Sequence, residues 1–148
     1  MTKTIRLLRA LLILAVAGLV LSIYSYLQHT GVASSTICAI NETFNCDIVN
    51  RGPYGTFMGL PVSLIGIIGY GLLVAGFAEK LRKPSDKELT RFLFMASLAG
   101  LVFALYLTGI EAFVLHAYCI ICLMSQAVII TIVGLMTKFW ISEKHSAN

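Results

Sequence analysis

Charge is what this sequence has least of. Lys, Arg, Asp and Glu together supply 12% of its 148 residues, about half the roughly 25% of an ordinary soluble domain. Apolar residues fill 58% of the chain and mean hydropathy is +0.88. A water-soluble fold of this size cannot hide that much apolar surface, so the composition excludes a soluble domain and implies a membrane protein. No internal repeat or low-complexity tract divides the chain, and residues 1–148 read as a single membrane domain.

Long apolar runs are what the sequence has instead. Four are present, about 7–27, 57–78, 92–115 and 118–139. Each reaches the roughly 20 residues needed to cross a hydrocarbon core of about 30 Å. Lipid offers no partner to a bare peptide group, so these segments are expected to be helices. The expected fold is therefore all-α: a four-helix transmembrane bundle with a long extracytoplasmic loop between the first two spans. "TKTIRLLR" has the basic character of a signal-peptide n-region, but the apolar run after it exceeds the usual 7–15 residues of an h-region, which favours an uncleaved anchor.

The few charges are placed asymmetrically. Lys3, Arg6 and Arg9 lie before or at the start of the first run; Lys80, Arg82, Lys83, Lys87 and Arg91 are expected to fill the loop between the second and third; Lys138 and Lys144 lie at or after the end of the fourth. Only Arg51 lies elsewhere. By the positive-inside rule both termini and the Lys80–Arg91 loop face the cytoplasm. A basic rim of this kind explains the net charge of +4 without a nucleic-acid partner.

That orientation carries all four cysteines to the outer face. Cys38 and Cys46 lie in the 28–56 loop; Cys119 and Cys122 open the fourth run as "CIIC". Disulfides form and persist outside the cytoplasm. Three chemistries use such a set: two static disulfides, a zinc site built from all four thiolates, or a redox relay. Zinc sites favour paired cysteines two to four residues apart, which the C-x7-C spacing of the first pair does not supply, so no metal is expected. The redox reading rests on position. With helix 4 beginning near Tyr118, Cys119 falls in its first turn, where free N–H groups and the helix dipole favour a thiolate. Cys122 shares that face about 4.5 Å deeper, within reach of a lipid-soluble oxidant. The C-x7-C loop, tethered and water-facing, is expected to shuttle electrons to it through mixed disulfides.

The segments "CAINETFNCDIVNRGPYGTFMGLPVSLIG" and "YLTGIEAFVLHAYCIIC" resemble the vitamin K epoxide reductase family in its bacterial and archaeal form. Cys38, Cys46, Asp47, Val49, Pro53-Tyr54, Thr56, Gly59, Pro61, Gly66, Glu111, Cys119 and Cys122 carry the likeness over residues 7 to 140. The resemblance implies a four-helix bundle around a quinone of the ubiquinone or menaquinone type. Electrons would pass from a thioredoxin-like thiol oxidase of DsbA type to Cys38 and Cys46, then to Cys119 and Cys122, and on to the quinone. It implies that Cys38 faces the partner, Cys46 pairs with Cys119, and Cys122 stands beside the quinone. It also implies a place in the inner membrane of a prokaryote. Gly52 replaces a common serine, and Gln126 stands where many members have alanine or tyrosine. Eight residues follow Trp140, so the thioredoxin-like partner is expected to be a separate protein.

Glu111 stands out as a carboxylate inside an apolar run, a costly and often functional placement. If its helix continued, it would lie about 12 Å below Cys119. It is a candidate to bond a quinone oxygen, relay protons or tie helices, and Gln126 is a second candidate quinone contact. His116 near the outer end is a candidate thiolate stabiliser. Tyr54, Tyr106 and Tyr118 read as packing or interface anchors, and glycines 59, 66, 69, 71 and 76 as close helix contacts. Two other functions use parts of the same set: reduction of a quinone epoxide, and a four-helix transporter built on Glu111.

Overall fold

Each apolar run closes its own backbone hydrogen bonds as a helix. In the computed structural model, which describes residues 2–34 and 36–146, the helices are α1 (Thr2–His29), the short α2 (Cys46–Arg51), α3 (Val62–Arg82), α4 (Lys87–Ile110) and α5 (Ile120–His145). A π-helical turn, Glu111–Leu115, extends α4. α1, α3, α4 with its π turn, and α5 are each long and apolar enough to span a membrane. Ile13, Val20, Ile68, Leu72, Val102 and Leu105 point outward from them and are half-exposed or more, as a lipid-facing surface requires.

The interior is packed from both ends of the sequence. Leu8, Leu11 and Ala15 of α1 meet Tyr70, Leu73 and Phe77 of α3, Leu93 of α4, and Ile129, Ile132, Met136 and Phe139 of α5. Two of the α3 glycines set helix spacing. A Cβ on Gly66 would come within 2.8 Å of the Ser22 hydroxyl, and one on Gly76 would strike Leu93. Gly69 and Gly71 meet nothing within 4 Å and are not helix contacts.

Several boundaries differ from the sequence expectation. α1 begins at Thr2, because the basic residues before the apolar run are good helix formers and their long stems reach along it. The second span begins at Val62, not Phe57. Residues 56–61 instead form a hairpin, β1 (Thr56–Phe57) against β2 (Leu60–Pro61). Its two-residue turn places Met58 and Gly59 at φ 52° and 85°, the doubly left-handed turn that matches strand twist. Gly59 is thus a turn residue. Pro61, with no N–H to donate, then caps α3.

The basic loop is also shorter than expected. Lys80 and Arg82 belong to the last turn of α3, and Lys87 and Arg91 to the start of α4. Lys80 is 1% exposed; its ammonium donates to the Asp86 carbonyl at 2.6 Å and pairs with Glu143 at 3.3 Å, lying over the Phe139 ring. This clamp joins α3, the turn to α4, and α5 at the end of the bundle remote from the cysteines.

Candidate functional site

The loop between α1 and α3 is ordered by its polar side chains. Asn41 Oδ1 accepts from the Thr43 and Phe44 amides at 3.0 and 2.8 Å, forming a tight Asx turn. The next residues pair with the start of α5: Tyr118 N–H donates to Thr43 C=O at 2.7 Å and Asn45 N–H to Tyr118 C=O at 3.2 Å. Asn45 then caps α2, its side chain accepting from Asp47 N–H at 3.0 Å. α2 is pinned to α1 by Asn50, which is buried. Its Oδ1 accepts from Ser25 Oγ at 3.2 Å and its Nδ2 donates to Gln28 Oε1 at 3.4 Å.

These main-chain bonds form a parallel bridge between Phe44 and Tyr118. Just beyond it Cys46 and Cys119 come together, and their sulfurs are 3.2 Å apart. Cys46 is disulfide-bonded to Cys38, while Cys119 and Cys122 are free thiols. The sulfurs of Cys38, Cys46 and Cys119 lie within 4.8 Å of one another, and Cys122 packs against the cluster. All four cysteines therefore gather at one end, opposite the Lys80 clamp. A disulfide touching a free thiol is an arrangement for exchange.

Two expectations about these cysteines are corrected. Cys119 is not in the first turn of α5 but is its N-cap, at φ −95° and ψ 112°. That extended backbone lets its sulfur reach back to accept the Cys122 amide at 3.3 Å, the usual geometry of a cap side chain. The loop pair is also not water-facing: Cys38 is 2% exposed and Cys46 fully buried. Apolar Leu21, Tyr24, Val49 and Ile120 pack on the cluster, and the docked loop closes over it.

Glu111 is placed by a departure from the regular helix. The π turn and the left-handed His116 that follows, at φ 48°, fold the chain back on itself. Glu111 Oε2 thereby accepts the Cys119 amide at 3.2 Å, where a continuous helix would have left it about 12 Å away along the axis. His116 is the reversal residue, and its side chain is exposed.

Below the cysteines lies a cavity of about 370 Å³ between α1, α3, α4 and α5, within the roughly 300–1,000 Å³ of small-molecule sites. Cys122, Glu111 and Gln126 line it, with Leu73, Ala96, Ala99 and Ile129 forming apolar wall further along. Gln126 Oε1 accepts from Thr108 Oγ1, which leaves its amide nitrogen as a donor. Tyr70 O–H donates to the Ser125 carbonyl at 2.8 Å. Ser63 also lines the cavity; it is 8% exposed and its hydroxyl has no partner among the described residues. A buried, orphaned hydroxyl facing an apolar cavity fits a ligand that brings an acceptor, and a quinone carbonyl is one.

Sequence reasoning missed Ser63, Asn50 and Tyr70 as parts of the site. For Ser63 and Tyr70 the signal was their i, i+7 spacing on α3, which puts both on one helix face; for Asn50 the sequence offers none.

A profile of the Vitamin K epoxide reductase family matches residues 9–137. The chain belongs to the vitamin K epoxide reductase family. Members of this family are membrane oxidoreductases linked to quinones, so the cysteine cluster and the adjoining cavity are read as a redox centre. No curated protein matches the chain.

Proposed function

We propose that this protein is a membrane thiol oxidase that draws electrons from a separate thioredoxin-like partner, passes them through Cys38 and Cys46 to Cys119 and Cys122, and delivers them to quinone, so supporting disulfide formation. The contact of Cys46 Sγ with Cys119 Sγ at 3.2 Å carries this reading. The charge asymmetry of the sequence supports both termini in the cytoplasm and the cysteines outside; the prokaryotic inner membrane is what the resemblance to bacterial and archaeal members implies.

The exchange steps follow from the order of the sulfurs. The partner's dithiol reduces Cys38–Cys46 and leaves oxidised. Cys46 thiolate then attacks Cys119 of a Cys119–Cys122 disulfide; the Cys46–Cys119 bond forms and Cys122 departs as thiolate. Cys38 thiolate attacks Cys46, restoring Cys38–Cys46 and freeing Cys119. The protein's sulfurs stand in this last arrangement, one disulfide and two free thiols. Cys119 is well placed as the attacked sulfur because it touches Cys46 on one side and lies over the Cys122 amide on the other.

A quinone bound in the cavity would supply a two-electron, two-proton acceptor for the Cys119/Cys122 dithiol. Ser63 Oγ and Gln126 Nε2 are the donors that would hold its carbonyls, and the Leu73–Ala99 wall would take its apolar tail. The test is anaerobic mixing of the purified protein with a reduced thioredoxin-like protein and a short-chain ubiquinone or menaquinone. Quinol absorbance should rise in step with partner disulfide. A Cys38–Cys46 bond that resists the partner while no quinol forms would mark the cysteines as static staples and end this reading.

A further inference from the structure

Oxidising a dithiol releases two protons as well as two electrons, and the cavity offers few groups to handle them. Among the described residues, no Lys, Arg, His or Asp lines either the main cavity or the recess beside it. Besides Cys122, the titratable groups that line them are Glu111 of the π turn, Tyr70 of α3, and Tyr54 between α2 and β1. Tyr70 is engaged with Ser125. Glu111 is the one carboxylate in this set, and it is 3% exposed.

It stands beside the thiols in the wall of the main cavity. One carboxylate oxygen, Oε2, is fixed by the Cys119 amide. The other, Oε1, has no protein partner among the described residues. Glu111 and Cys122 both line the main cavity, and both also line a recess of about 20 Å³, room for about one water. Tyr54, 45% exposed, lines the recess too, so the recess leads from Glu111 towards the loop surface.

We propose that Glu111 is the proton carrier between the Cys119/Cys122 dithiol and the quinone, a role that deepens the thiol oxidase reading and rests on it. As the Cys119–Cys122 bond forms, the two thiols lose two electrons and two protons, and the quinone gains both to become quinol. Glu111 carboxylate takes the two thiol protons in turn and, as the acid, gives each to a quinone oxygen, ending as it began. The water-sized recess keeps its protonation in register with the surface. Fixing Oε2 to the Cys119 amide holds Oε1 towards the cavity through the cycle.

Glu111→Gln separates this role from a tether, because the amide oxygen still accepts the Cys119 N–H but carries no proton. Single-turnover oxidation of the pre-reduced protein by short-chain ubiquinone should slow by about 10²-fold or more, within the range a positioned acid–base group supplies. Reduction of Cys38–Cys46 by the thioredoxin-like partner should keep its rate. Formate should restore part of the quinone step in Glu111→Ala. A readout without quinone is infrared difference spectroscopy between dithiol and disulfide forms prepared with a thiol redox buffer. A carboxyl band of Glu111 should change between the forms and vanish in Glu111→Gln. Wild-type quinone kinetics in Glu111→Gln, or a carboxyl band indifferent to the state of the cysteines, would make Glu111 a tether only. Failure of the wild-type protein to form quinol would instead strike the thiol oxidase reading itself.

Discussion

Cys46 Sγ lies 3.2 Å from Cys119 Sγ although 73 residues separate the two in the chain. The contact joins the loop disulfide to the membrane-edge thiol pair, and it is buried on both sides. In the double variant Cys38→Ala, Cys122→Ala, only these two thiols remain. Mild oxidation should link them nearly completely, seen by mass spectrometry of the non-reduced peptides. Two free thiols after oxidation would remove the contact as a route for electrons.

Ser63 presents an unpartnered hydroxyl to the cavity, so Ser63→Ala should cost the fold little. It should weaken quinone binding by one hydrogen bond, about 0.5–1.5 kcal/mol or roughly two- to tenfold in KM. Steady-state titration with quinone, alongside a thermal melt, separates the two effects. Unchanged KM would place the quinone carbonyl elsewhere.

Gly18 packs against the Tyr70 ring, and a Cβ there would overlap it. Gly18→Ala is expected to destabilise the bundle by about 1–3 kcal/mol, as overpacking of a filled core does, and to lower its Tm in detergent. Gly71 has open space around its Cα, so Gly71→Ala should be neutral or stabilising by up to about 1 kcal/mol through helix propensity. Equal melting of the two variants would contradict the packing at α1 and α3.

Glu143→Ala leaves the Lys80 ammonium buried without a counter-charge, with the Asp86 carbonyl and the Phe139 ring as its remaining partners. Lys80→Met leaves Glu143 at 18% side-chain exposure, where it can hydrate. Stranding a buried charge costs about 3–5 kcal/mol, whereas replacing it with an apolar side chain is much milder. The melting order should therefore be wild type and Lys80→Met above Glu143→Ala. The reverse order would show that Glu143 is not the partner that keeps Lys80 buried.

The proposed orientation has its own test. In a cysteine-free background with one reporter at Ser85, in the exposed turn between α3 and α4, an impermeant thiol reagent should label only after the membrane is opened. Labelling of intact cells would invert the topology and put the cysteine cluster in the cytoplasm.

The four spans were legible in the sequence because hydropathy integrates over about 20 residues and needs no neighbour. Their ends were not, since those depend on backbone events. Pro61 and the Met58-Gly59 turn delay α3, and Cys119 stops short of α5 to cap it. The grouping of Cys38, Cys46, Cys119 and Cys122 at one end followed from chain order alone. What the chain order hid was tertiary: the burial of Cys38, and the approach of Glu111 to Cys119. The latter arises from a π turn and one left-handed residue, a local widening and reversal that leave no mark in apolar periodicity.

The loop is docked on α5 through peptide groups, with Tyr118 bonded to Thr43 and Asn45 by main chain alone. The Phe44 ring adds a contact to Tyr118, but the side chains of Glu42 and Thr43 are exposed, so alignment of the reacting sulfurs does not depend on what those two are. In the proposed thiol oxidase, residues 42–43 could therefore be rewritten to suit a different thiol donor while the buried cysteines keep their geometry.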